Sequence, residues 1–152
     1  MGEFGSLAEL SGAAPVRGGK AVDPALLSAA FRLVEGGAVK RSGYRFVVYL
    51  LDRFGQPVGE RVRGGFAKGR LDAKAAARYW CAYAWPVASG KTGNRTFFVN
   101  QNGDISWTED ARYSGDRGPD PAAAFRAGGP PLRGKPALGA PGQDGNVWTQ
   151  GG

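Results

Sequence analysis

The sequence predicts an α+β fold: a small antiparallel sheet of about four strands, joined as a meander and packed on an N-terminal helix. Three observations carry the prediction. The stretch VDPALLSAAFRLVEGG (residues 22–37) repeats apolar residues at helical spacing. Later segments rich in aromatic and β-branched residues alternate with a period of two. Asn102-Gly103 marks a tight reversal between the last two of these segments.

Each element has its own signals. For the helix, Asp23 is placed to cap and Pro24 suits the first helical position, where a missing N–H costs nothing. Leu27, Ala30, Phe31 and Val34 then form one apolar stripe, and Gly36-Gly37 stops the helix. SGYRFVVYLLD follows. Over 43–51 it places Tyr44, Phe46, Val48 and Leu50 on one face, and Arg45, Val47, Tyr49 and Leu51 on the other. Both faces are largely apolar, the mark of a central strand covered on both sides.

RFGQPVGERVRGGFAKGRL reads as a long glycine-rich excursion holding a ragged hairpin. In LDAKAAARYW, Asp72 caps a short alanine-rich helix. RYWCAYAWPV gives a strand over 78–85, ended by Pro86, which cannot donate to a ladder. Arg95–Asn100 and Ile105–Thr108 form the hairpin around Asn102-Gly103. Beyond it, Asp120 is set to cap a short helical turn in DPAAAF.

Composition divides the chain. The large apolar residues concentrate between Leu26 and Trp107, while the 26 glycines and 10 prolines crowd the rest. The expected organisation is an N-terminal extension (1–22), a globular α+β domain (23–113) and a Gly/Pro-rich tail (114–152), too poor in apolar residues for a core and therefore mobile. No apolar run approaches the ~18 residues of a membrane-spanning helix. MGEFGSLAEL lacks the basic and apolar regions of a signal peptide.

The same composition narrows the chemistry. There is no histidine, which removes the commonest general base and metal ligand. The single cysteine, Cys81, can form neither an internal disulfide nor a cysteine zinc site, and nothing nearby activates it. It is expected to be a buried, inert thiol. The net charge of +7 is spread along the chain without a run of five cations, so a solvated surface is expected and nucleic-acid binding is not.

Two motifs suggest ligands. SGKTGNR (89–95) ends like a phosphate-binding loop. That loop requires a glycine at 85, which is Trp85, and a helix after the motif, where a strand is predicted. Gly90 and Gly93 are instead expected to supply the positive-φ positions of a loop between strands. The rings of Tyr79, Trp80, Tyr83, Trp85, Phe97, Phe98 and Trp107 would make either a stacking platform or a core, and core is expected. They are expected to turn inward against Leu27 and Phe31.

The carboxylates Asp104, Glu109, Asp110, Asp116 and Asp120 offer oxygen ligands of the kind Ca²⁺ prefers, without EF-hand spacing. No group of residues makes a catalytic constellation, so the protein is not expected to be an enzyme.

Four strings carry a family resemblance: GEFGSLAELSGA, DPALLSAAF, KRSGYRFVVYL and YWCAYAWPVASGKTGNRTFFVNQNGDI. They resemble the globular part of prepilin-like proteins of the type IV pilin and type II secretion pseudopilin class, most closely a planctomycete-like subgroup. The likeness spans residues 2–113. Ser42-Gly43-Tyr44 with Phe46, and Gly90 through Gly103, are its most specific parts.

The resemblance implies a pilin-type head and a non-enzymatic structural or assembly role. It also implies an extracytoplasmic location, and protein partners or self-assembly through a hydrophobic N-terminal helix that these residues do not contain. Anchoring in a membrane would run through that same segment. Pseudopilins often hold Ca²⁺ in a late loop, which makes Asp104, Glu109 and Asp110 the candidate ligands of a structural calcium; no other cofactor is implied. The alternative is an extracytoplasmic binding module that takes a glycan or polyanion on exposed aromatics and Arg/Lys.

Overall fold

A computed structural model describes residues 4–14, 17, 20 and 25–150. The chain is built mainly of strands: β1 (Val39–Arg41), β2 (Tyr44–Leu51), β3 (Pro57–Gly59), β4 (Cys81–Pro86), β5 (Thr96–Asn100), β6 (Ile105–Thr108), β7 (Ala140–Pro141) and β8 (Val147–Gln150). Together they form an eight-stranded sheet in the order β1-β2-β4-β5-β6-β8-β7, with β3 also pairing β2. Every pairing is antiparallel.

The predicted meander is the centre of this sheet. β2, β4, β5 and β6 lie side by side in sequence order, within a residue or two of the expected bounds for β2, β5 and β6. Aromatic and β-branched residues at period two fit a pleated surface covered on both faces, which is why these strands form here. The β5–β6 connection is longer than the Asn-Gly signal implies. Val99 pairs with Ile105, the Asn100 carbonyl accepts the Gly103 N–H at 2.9 Å, and the Asn100 side chain accepts the Asn102 N–H at 3.1 Å.

The expected four-strand sheet packed on an N-terminal helix is not what forms. Helix among the described residues amounts to α1 (Leu7–Leu10), a 3₁₀ turn at Ala29–Phe31 and α2 (Ala73–Ala76). Asp23 and Pro24, the predicted helix start, lie outside the described residues. The reason for the missing helix is tertiary. The Leu26 and Leu27 N–H groups both donate to the Leu10 carbonyl, at 2.8 and 2.9 Å, and the Ser11 hydroxyl donates to the Phe31 carbonyl at 3.3 Å. With those backbone groups satisfied by the α1 turn, the segment needs no helical ladder. Leu27, Phe31 and Val34 still reach one cluster, together with Leu7, Ala8, Val39 and Val48.

Buried carboxylates fix the N-terminal segment. Ser6 and Glu9 close a capping box on α1, and Arg17 pairs with Glu9 at 2.7 Å. The Glu60 carboxylate accepts the N–H groups of Leu7, Ala8 and Gly65 at 3.0–3.2 Å, tying α1 to the excursion between β3 and α2. Asp72 caps α2 as predicted, accepting from the Lys74 and Ala75 N–H groups.

The Gly/Pro-rich stretch from residue 114 is also not the mobile tail expected. It supplies β7 and β8, and it buries Phe125, Leu132 and Trp148 completely against Val47, Tyr83 and Phe98. Asp120 caps a short turn, accepting the Ala122 N–H at 3.0 Å, and its carbonyl accepts the Ala123 N–H at 2.9 Å. A few large side chains seal a core even where small residues and proline dominate the composition.

Candidate functional site

The two faces of the sheet have different fates. Val47, Tyr83, Trp85 and Phe98 point to one face, where the C-terminal segment covers them. The Tyr83 hydroxyl donates to the Pro121 carbonyl at 2.8 Å and accepts the Ala124 N–H at 3.1 Å. Trp85 Nε1 donates to the Gly115 carbonyl at 2.8 Å. Asp144 accepts from the Tyr113 hydroxyl at 2.6 Å and from Trp148 Nε1 at 3.2 Å. The buried rings thus meet the C-terminal segment, not Leu27 and Phe31 as expected from sequence.

The opposite face is only partly covered. Phe4, Leu7, Ala8 and Phe31 lie over the end near Val48, Leu50 and Trp80; Phe31 meets the Phe46 ring edge-on at 5.6 Å and Phe4 meets Trp80 at 5.7 Å. Beyond them a shallow recess of about 410 Å³ stays open. The register explains its shape. Phe46, Ala84 and Phe97 stand in one cross-strand row, and Val48, Ala82 and Val99 in the next. Two alanines on β4 therefore run between larger residues on β2 and β5, making a groove along β4.

Tyr44 and Ile105 extend the walls, and the lining is apolar throughout. β2 and β5 lie about 9–10 Å apart across β4, so the gap between their facing side chains is narrower than the ~10–12 Å of a whole α-helix and takes the side chains of one helix face. Beyond the groove, Trp107 shares the open side of the sheet, with the Arg95 guanidinium 4.6 Å over its ring and Glu109 pairing Arg95 at 3.2 Å. The far end of the groove closes on the 88–94 loop, where the Tyr44 hydroxyl fills the space that a Cβ at Gly93 would need.

That packing corrects one expectation. Gly90 has φ +82°, but Gly93 is not among the positive-φ residues; it is glycine because Tyr44 lies on it. The Ser89 N–H donates to the Ser114 hydroxyl, and the loop spends others on itself. Gly90 donates to the Gly93 carbonyl, and Lys91 and Thr92 donate to the Ala88 carbonyl. With β5 rather than a helix following, the groups a phosphate would need are not presented.

The candidate calcium ligands are not brought together. Asp104 is exposed, Glu109 faces Arg95, and Asp110 pairs Arg112 at 2.9 Å while accepting the Arg112 N–H. That N–H bond is the largest influence holding the Asp110 carboxyl below its usual range. Among the described residues no three carboxylates or thiols converge on one point. Cys81 is fully buried and burial pushes its thiol pKa far up, the condition of an unreactive sulfur. Among the same residues no helix is long and apolar enough to cross a membrane.

No family model, curated protein or solved structure matches this chain. What it can do is therefore read from its geometry, in which the open groove is a recess with a wholly apolar lining. From sequence, Phe97 is expected in the core with Phe98, and that expectation does not single out Ala82 or Ala84. A signal for the groove was available: on β4, Cys81, Tyr83 and Trp85 alternate with alanines alone. A strand that is large on one side and small on the other invites close approach from the small side.

Proposed function

We propose that this chain is a non-enzymatic assembly module, a head whose open sheet face seats a hydrophobic α-helix in the manner of the prepilin-like proteins its sequence resembles. The observation that carries the reading is the alanine-floored, entirely apolar groove along β4. Burying a contiguous apolar lining against an apolar partner is favourable. Its partner must be apolar, because the lining offers no polar group to a polar ligand.

The occupant is an apolar helix preceding these residues in the same polypeptide. Phe4 lies on the matching face: its N–H donates to the Ala76 carbonyl and its ring packs on Trp80, beside the covered end of the groove. A helix arriving there has a short path to Ala82 and Ala84. In this reading the protein works outside the cytoplasm, and its assembly runs through that helix.

The test compares Ala84→Cys in the 152-residue chain with the same substitution in the protein carrying its upstream segment, held in detergent. The native Cys81 is silent to thiol reagents because it is buried. Maleimide should label the new cysteine readily in the shorter chain and about tenfold or more slowly in the longer one. Equal rates in both, or an upstream segment without a run of about 20 apolar residues, would overturn the reading.

A further inference from the structure

A second feature lies away from the groove and stands whether or not a helix fills it. Lys74 and Arg78 project from α2 and the turn that ends it, and with Tyr79 and Arg133 they line a recess of about 520 Å³. A neighbouring recess of about 470 Å³ is lined by Arg53, Gly69 and Ala73, and the two meet at Asp72. Lys74, Arg78 and Arg133 are exposed, and among the described residues no ion pair reaches any of them or Arg53. Four cations thus border two adjoining recesses with one carboxylate between them.

The loop that presents Arg133 is held in a costly shape. Leu132 is fully buried and takes φ +64°, a left-handed conformation that disfavours a leucine by about 1–2 kcal/mol. The Gly134 N–H donates to the Pro130 carbonyl at 2.8 Å, closing a tight knuckle. The result keeps Leu132 in the core and sets the Arg133 guanidinium 5.7 Å over the Tyr79 ring. Local strain that fixes one exposed cation in place is a feature of binding sites.

We propose that these paired recesses bind an acidic polysaccharide. Unpaired cations around an elongated depression call for a ligand with several negative charges. Asp72 narrows the class. Its Oδ1 accepts both the Lys74 and Ala75 N–H groups, which leaves Oδ2 free at the seam. A free carboxylate oxygen repels any anionic group but accepts a hydroxyl, so it favours a chain that sets hydroxyls between its anionic groups. Single-stranded nucleic acid needs open aromatic faces for its bases, and the one ring here lies under Arg133.

Heparin and polygalacturonate are the probes, separating sulfate from carboxylate as the anion, with single-stranded DNA at equal ionic strength as the competitor class. The protein should bind at least one polysaccharide more tightly than the DNA, with affinity falling as salt rises. Replacing Lys74, Arg78 and Arg133 together by Gln should lower the log–log salt slope by ~2–3 at an unchanged unfolding temperature. Replacing Arg61, Arg63 and Lys68 by Gln should leave the slope near that of the parent. The proposal is overturned if both triple variants lose binding equally, if DNA binds more tightly than either polysaccharide, or if neither polysaccharide binds.

Discussion

Phe97 and Phe98 are neighbours on β5, yet they belong to different surfaces. Phe98 is 1% exposed and meets the rings of Tyr83, Phe125 and Trp148 at 5.2–6.3 Å. Phe97 is half-buried, touches the Tyr44 ring at 6.0 Å and lines the open groove. Strand geometry accounts for the opposed directions. It does not account for the difference in cover, which comes from segments remote in sequence. One face of the sheet is closed by this chain's own C-terminal residues, and the other is covered at one end by the N-terminal segment and open beyond it.

The sharpest way to break that contrast is to remove the seal. Trp148→Ala deletes a fully buried ring that packs against Tyr83 and Phe98 and whose indole N–H donates to Asp144. Phe98→Ala removes the ring it meets. Each should lower unfolding free energy by about 3–5 kcal/mol, the range for deleting a buried aromatic. That is a large part of the ~5–15 kcal/mol that holds a domain together. Urea titration followed by circular dichroism measures it. A loss below ~1 kcal/mol for Trp148→Ala would mean that the C-terminal segment does not seal the core.

Alkaline pH probes the same closed face with a smaller effect. Burial, more than any other cause, pushes the Tyr49 pKa up to about 12, and burial likewise raises Tyr83 and Cys81. In the unfolded chain a tyrosine titrates near ~10 and a thiol near ~8.5. The folded protein therefore holds these protons more tightly. Their contribution to stability is complete below the unfolded values and is lost as pH rises towards the folded ones. The decline should begin near ~8.5 with Cys81 and steepen above ~10. Tyr49 alone supplies about 2–3 kcal/mol of it by pH 12. Tyr49→Phe should flatten the upper limb and Cys81→Ala the lower one, read from urea midpoints across the pH series.

The contrast also explains which parts of the molecule were legible in sequence. β2, β5 and β6 declared themselves because both of their faces carry β-branched or aromatic side chains at period two, and Asp72 declared α2 through its side chain. The predicted helix failed although its spacing was right. Leu27, Phe31 and Val34 reach the same cluster from a 3₁₀ turn and extended chain, so the apolar pattern reports the contact and not the backbone that makes it. The C-terminal segment was misread because composition averages over length. Phe125, Leu132 and Trp148 are few among the glycines and prolines, yet each is completely buried. The groove was half legible: two apolar faces could be read from Tyr44–Leu51, but which one would be closed depended on residues the alternation does not contain.

The smallest expected effect is on the open face, and it completes the comparison. Full burial of a phenylalanine contributes ~1.5–3 kcal/mol. Phe97 realises only part of that, because one side of its ring faces the open groove. Phe97→Ala should therefore cost about 1 kcal/mol, several-fold less than Phe98→Ala one residue away. Ile105, which is 55% exposed at the groove's edge, should shift stability by no more than ~0.5 kcal/mol when replaced by Thr. The strand supplies a control, since Ile105 and Thr are both β-branched and keep the same backbone preference. Side-by-side urea titrations of the three variants decide the matter. If Phe97→Ala proves as damaging as Phe98→Ala, the groove is covered in solution by this chain's own residues, and no surface remains there for a helix to occupy.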